Sequence, residues 1–311
     1  MDQNYITARR ARNVLALTAG ATLLLGACGS DGGTEDSTST TRSSAVDSST
    51  TAVVTTEADA AQPSTGIVFE AGDYLYHLPA SVPGGWQRLT LDNQGSEEHQ
   101  LTLARLADGQ DPETVGGQLD RNDLSFLAQA TLVGAPDGVG SGQQASVITD
   151  LEPGGYVAFC AVPSPSDGVP HHQKGMHDSF TVGPAEDEVE VPAADGTVEI
   201  TPSGYQLPDG FTGNGTFEVK NSAASGAEMA IMRLAPDATE ADVVSFLTGT
   251  PTGPPPFTIA GGVSAMAPGS TAYLDLDLDP GNYLMLSFVP DPTAGFAPQF
   301  TNGVITSFTI A

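Results

Sequence analysis

Between Tyr156 and Val182 the chain reads YVAFCAVPSPSDGVPHHQKGMHDSFTV. One of its two cysteines, three of its five histidines and a methionine fall in this stretch. A thiolate, an imidazole and a thioether on one strand–loop–strand segment form a donor set suited to copper. The soft sulfurs hold Cu(I), and the imidazole also suits Cu(II). Cys160 and His171 are spaced C-x10-H, and His171 and Met176 are spaced H-x4-M. A second imidazole has to come from elsewhere in the chain, and His99 is the natural candidate. His172 competes with His171, and the H-x4-M spacing and the preceding Pro170 favour the latter. His77 and His177 read as surface or supporting residues. Strand alternation puts Cys160 on the face of Tyr156 and Ala158.

Cysteine, histidine and methionine in this order around a last turn, with a histidine at the start of an earlier strand, resemble the cupredoxins, the type 1 (blue) copper proteins. The resemblance is to their plastocyanin- and azurin-like single-domain members and to the copper domain of nitrite reductases, and it covers roughly Ile67–Val182. It implies a Greek-key β-sandwich with one copper ion at one end. His99 and His171 would supply imidazole nitrogens, Cys160 a thiolate and Met176 a weak axial contact. The implied activity is single-electron transfer, with an exposed edge of His171 among Pro163, Val169 and Pro170 as the port. The loop from Cys160 to His171 is longer than in plastocyanins, which leaves the exposure of the metal open.

The elements that must carry these residues are strands. Gly 36 and Pro 23 punctuate short Val/Leu/Thr/Tyr-rich runs in 311 residues, the pattern of an all-β chain long enough for two cores. Gly66–Leu78 forms a first β region, Pro83-Gly84-Gly85 a turn, and Trp86–Leu91 and His99–Leu103 strands. Asp111–Leu119 has the cap and first turn of a short helix. Ala145–Leu151 and Tyr156–Cys160 are strands joined by the Glu152–Gly155 turn, and Ser179–Val182 closes the unit.

Upstream, Arg9, Arg10 and Arg12 precede the short apolar run Val14–Leu25, which has the form of an export signal. Leu25-Gly26-Ala27-Cys28 resembles a bacterial lipobox, which implies cleavage before Cys28 and lipid on that residue. Residues 1–27 are thus expected to be a signal peptide, and 28–64 a lipidated, flexible Ser/Thr-rich tether. The folded part is expected outside the cytoplasm, anchored to the cell membrane. With Cys28 lipidated and Cys160 on a metal, no disulfide remains to be formed.

The strand plan runs twice, over 65–185 and 186–311. Ala227–Leu234 (AEMAIMRL) aligns with His99–Leu106 (HQLTLARL), and Asp279–Tyr283 with Glu152–Tyr156. Pro298, Gln299, Gly303, Val304 and Phe308 then fall on Pro170, His171, Gly175, Met176 and Phe180. The expected fold is two tandem Greek-key, cupredoxin-like sandwiches. At the four ligand positions the second copy has Ala227, Ser287, Gln299 and Val304, so it is expected to keep the fold without the metal. It would pack against the first copy or present a surface to a partner.

A balance of 10 basic to 38 acidic residues excludes nucleic acid as a natural partner. The function expected is a membrane-anchored, extracytoplasmic copper protein that carries electrons between redox partner proteins. Copper as cargo to be buffered or delivered is the alternative, followed by a metal-free structural lipoprotein. An enzyme is not expected: copper oxidases and nitrite reductases need further histidines, and here Phe159 precedes the cysteine and no His-X-His occurs.

Overall fold

The structure is a computed structural model that describes residues 66–249 and 253–311. The expectations for the signal, Cys28 and the tether lie outside the described residues. Short alternating strands are the commonest element among the described residues. In β1 (Ile67–Gly72) Phe69 and Ala71 point inward while Val68 and Glu70 face solvent. β2 (Leu75–His77) folds back on it. In β3 (Ser81–Asn93) Gln87, Leu89, Leu91 and Asn93 are buried and the residues between them half-buried, the period-two signature of a strand with one covered face.

Pro83-Gly84-Gly85 is not the turn its composition suggests. β3 runs straight through it and changes sheets there. Its first residues pair parallel with β8 (His177–Ala185), and the rest pairs with β1 and with β6 (Gln144–Leu151). The crossover requires close backbone approach. A Cβ on Gly84 would lie 2.6 Å from the Gly183 carbonyl oxygen and 2.9 Å from that of Leu151.

β4 (Thr102–Arg105), β5 (Thr131–Val133), β7 (Gly154–Phe159) and β8 form the second layer, in the order β8-β7-β4-β5. Helix α1 (Pro112–Leu119) covers the outer face of β7. Asp111 caps it, its carboxylate accepting from the Thr114 amide at 2.9 Å. On β7, Tyr156 and Ala158 join Cys160 in the core between the layers, whereas Val157 and Phe159 pack under α1.

The second half repeats this plan. β9 (Gly196–Thr201), β10 (Gly204–Gln206) and β11 (Asn214–Asn221) stand where β1, β2 and β3 stand. β12 (Ala227–Leu234), α2 (Glu240–Thr248), β13 (Phe257–Met266), β14 (Thr271–Asp277) and β15 (Gly281–Leu286) follow. A small ribbon of β16 (Pro290–Asp291) and β17 (Ala297–Pro298) precedes the last strand, β18 (Ile305–Ile310). The details repeat as well. Tyr156 and Tyr283 each donate to the carbonyl four residues back at 2.8 Å, and each ring stacks on a phenylalanine of the closing strand.

The two sandwiches are fused along a sheet. β6 pairs antiparallel with β14 through Thr149–Ala272, Ile148–Tyr273 and Val147–Leu274, so one layer runs unbroken from the first half into the second. A second seam joins the loop after β5 to β13. Ser264 donates its amide to Ala135 at 2.8 Å and its hydroxyl to the Leu101 carbonyl at 2.8 Å.

Candidate metal centre

Four elements bring donors to one end of the first sandwich. Cys160 directly follows the last residue of β7. His99 lies ahead of β4, held by paired amide–carbonyl bonds to Val139 at 3.0 and 2.8 Å. His171 opens a 3-10 turn, His171–Lys174, that starts after Pro170 and ends at Gly175 with φ +103°. The long loop is folded back on itself: the His171 amide reaches the Val162 carbonyl at 2.9 Å, and Pro163 pairs with Pro170. Met176 closes the circuit through its backbone, donating to the His171 carbonyl at 3.0 Å and accepting from the Cys160 amide at 3.1 Å. All four side chains have 0% exposure.

One nitrogen each of His99 and His171 and the Cys160 sulfur lie within 4.8 Å of one another. The two Nδ1 atoms are 3.1 Å apart, and Cys160 Sγ is 3.5 Å from His171 Nδ1. The structure thus brings His171 to the cluster and turns His172 away. His172 Nδ1 donates to the Cys160 carbonyl at 3.1 Å, and its Nε2 lies 2.9 Å from Asn122 Oδ1. His177 pairs with Asp120 at 2.9 Å, and His77 is exposed on β2.

Both clustered imidazoles turn their outer nitrogens toward carboxylates. His171 Nε2 donates to Glu97 Oε2 at 2.8 Å. His99 Nε2 is buried without a hydrogen bond among the described residues, 3.5 Å from Asp73 Oδ1. The Glu97 acceptor holds the proton of His171 on Nε2, the nearby Asp73 carboxylate favours the same tautomer of His99 by its charge, and each inner nitrogen is left as a lone pair. Two such lone pairs and a sulfur facing one another in a dry site repel unless a cation or a shared proton lies between them. The donor set therefore fits a metal ion, and its softness fits copper.

The electrostatics point the same way. Burial lowers both imidazole pKa values, against the opposing pull of Asp73 on His99 and of Glu97 on His171, so neutral rings are favoured. Burial pushes the Cys160 thiol up to about 12, so without a cation it stays protonated at neutral pH. Burial also pushes Glu97 up, but hydrogen bonds from Tyr74, His171 and Ser164 outweigh it and keep the carboxyl below its ordinary value. A hydrogen bond from the Ser96 hydroxyl leads in lowering Asp73.

His171 offers no exposed edge, contrary to the expectation of an open port among Pro163, Val169 and Pro170. The ring is covered by Glu97 and by Tyr74, whose ring centroid lies 5.2 Å away. Tyr74 adopts φ +64°, uncommon for a non-glycine residue, at the β1–β2 turn. Its hydroxyl donates to Glu97 Oε1 at 3.0 Å, and Lys174 lies over its ring. Sequence reasoning missed Asp73, Tyr74 and Glu97. An acidic pair, Glu97-Glu98, directly before a candidate ligand was the signal present.

The same frame surrounds a different centre in the second sandwich. Gln299–Asn302 is the matching 3-10 turn, after Pro298 and before Gly303 at φ +101°. Ser287 donates its hydroxyl to Gln299 Oε1 at 2.8 Å, and Gln299 Nε2 donates to the Gly226 carbonyl at 2.8 Å. This pair satisfies itself where the first copy gathers lone pairs.

The strand order defines the fold: two fused β-sandwiches of cupredoxin-like topology, the first of which gathers the donor cluster at one end. No protein-family model and no curated protein sequence matches the chain. Among solved structures it is similar to a dithionite-reduced auracyanin from Roseiflexus castenholzii, at 20% identity over 38% of this chain and 96% of that one, with a TM-score of 0.26. Auracyanin A, a "blue" copper protein from Chloroflexus aurantiacus, matches at 14% identity over 38% of this chain and 98% of that one, with a TM-score of 0.25. A copper nitrite reductase from Nitrosomonas europaea matches at 13% identity over 79% of this chain and 93% of that one, with a TM-score of 0.23. The fold and the site stand on the strand pairing and the donor geometry, independently of these likenesses.

Proposed function

We propose that the first sandwich holds one type 1 copper ion through His99, Cys160 and His171, with Met176 as a weak axial donor, and that the protein carries single electrons between redox partner proteins. The observation that carries this reading is the convergence of three buried donors, one of which, His171, has its outer nitrogen fixed by the Glu97 carboxylate. Bound there, copper would supply a one-electron couple. The chain's own residues supply the rest. The sandwich holds the donors in one arrangement for both oxidation states, which limits reorganisation. The Glu97–Tyr74–Ser164 network orients His171 and keeps water from it. The second copy, with Ser287 and Gln299 paired to each other, is read as a metal-free partner domain. Lipid on Cys28 would anchor the protein at the outer face of the cell membrane, and removing it by Cys28→Ala belongs to the same reading.

Copper as cargo is the weaker reading, because a transfer protein needs donors a partner can reach, and these are wholly buried. The test is the absorption spectrum of the protein on addition of Cu(II). A blue, thiolate-to-copper band should grow to one equivalent per chain and be absent in Cys160→Ser. A colourless protein that nevertheless binds copper stoichiometrically would overturn the type 1 assignment.

A further inference from the structure

A cavity of about 400 Å³ lies between the two sandwiches and is lined by residues of both. Three of its lining residues are acidic, Glu98 from the first copy, Asp137 from the loop after β5 and Glu228 from β12, and none is Lys, Arg or His. Asp137 and Glu228 are each only 5% exposed, and Gln100 beside them 9%. Glu228 accepts one hydrogen bond, from the Phe288 amide at 2.6 Å. Among the described residues no side chain hydrogen-bonds to Asp137, whose carboxyl takes a backbone hydrogen bond from Gly138. The remaining wall is apolar and includes four phenylalanines, Phe159, Phe246, Phe257 and Phe288.

Carboxyl groups set in such walls are costly as anions unless a positive charge joins them. Burial accordingly pushes Asp137 up to about 7 and Glu228 up to about 8. A bare metal ion does not answer the arrangement. Among the described residues the cluster of metal-binding side chains with donors within 4.8 Å of one another is His99–Cys160–His171, so these three carboxyls do not close on a single point. They line one chamber that is large enough for a small molecule. The phenylalanine faces attract a cation by their quadrupole and an apolar body by contact.

We propose that this chamber is a binding site for a small amphipathic organic cation, with an ammonium head against Asp137 and Glu228 and an apolar body against the phenylalanines. The site goes beyond the electron-carrier reading and does not depend on the metal. The experiment is calorimetric titration of the full chain, without added metal, with octylammonium, 1-octanol and octanoate. Octylammonium should bind saturably at one per chain, octanol at least tenfold more weakly, and octanoate not at all. Asp137→Asn and Glu228→Gln should each weaken octylammonium tenfold or more. Ala230→Leu, which fills the chamber without touching its charge, should do the same. Absence of saturable octylammonium binding would overturn the proposal. So would equal affinity for octanol, or an affinity unmoved in all three variants.

Discussion

Glu97 stands between His171 and solvent, and it decides how that imidazole behaves. Its Oε2 takes the Nε2 proton at 2.8 Å while Oε1 accepts from Tyr74 and Ser164 at 3.0 and 3.1 Å. An anionic acceptor on the outer nitrogen makes the inner one a stronger donor and favours Cu(II) over Cu(I). Glu97→Gln keeps the shape and removes the charge. Its Cu(II) affinity should fall roughly 10–100-fold, its reduction potential should rise, and the blue band should remain. Chelator competition and a redox titration check this; a potential that stays level or falls would refute the role. Cys160, His171 and Met176 could be read as candidate donors from C-x10-H-x4-M because their spacing is local, whereas His99 lies outside that motif. Glu97, Asp73 and Tyr74 could not. They reach the site from the turn after β1 and the loop after β3, and only the β1–β3 pairing brings those segments together.

At the scale of elements, the Asp111 cap, the turns before Tyr156 and Tyr283 and the alternating strands were legible because each is a short-range pattern. The course of β3 was not. Proline and two glycines normally spell a turn, yet here they let one strand serve two sheets, and that depends on β8 and the end of β6 lying alongside. The consequence is specific to position. Gly84→Ala drives a methyl group into two backbone carbonyl oxygens that cannot move independently, at 2.6 and 2.9 Å. Overpacking of this kind costs about 1–3 kcal/mol. Gly155→Ala is the matched control, since a Cβ there meets nothing within 4 Å. Denaturant midpoints should separate the two variants clearly, and equal midpoints would show that the crossover tolerates a side chain.

For the whole molecule, the repeat was visible in the chain but the way its copies join was not, since an exposed edge and a paired edge share one sequence pattern. The sequence leaves the second copy free to fold alone; the structure makes β14 continue the sheet of β6. Val147 of β6 lies in the apolar core of the second half, and Trp86 packs edge-on against Tyr273 at 5.7 Å across the same seam. Ser264 ties β13 to the carbonyl of Leu101, two residues from His99. Separating the halves would expose a strand edge on each and open their shared chamber, so unfolding one should unfold the other. Copper binds to the folded first copy alone in this reading, yet its binding free energy should stabilise the pair. At a free copper concentration 100 times Kd that amounts to about 2.7 kcal/mol. For a cooperative unit of this size it should raise Tm by roughly 5–10 °C. Scanning calorimetry of the full chain should therefore show one transition for both sandwiches, and copper should move all of it. Two transitions, with only the first moved by copper, would mean that the seam carries no cooperativity and that the second sandwich stands on its own core.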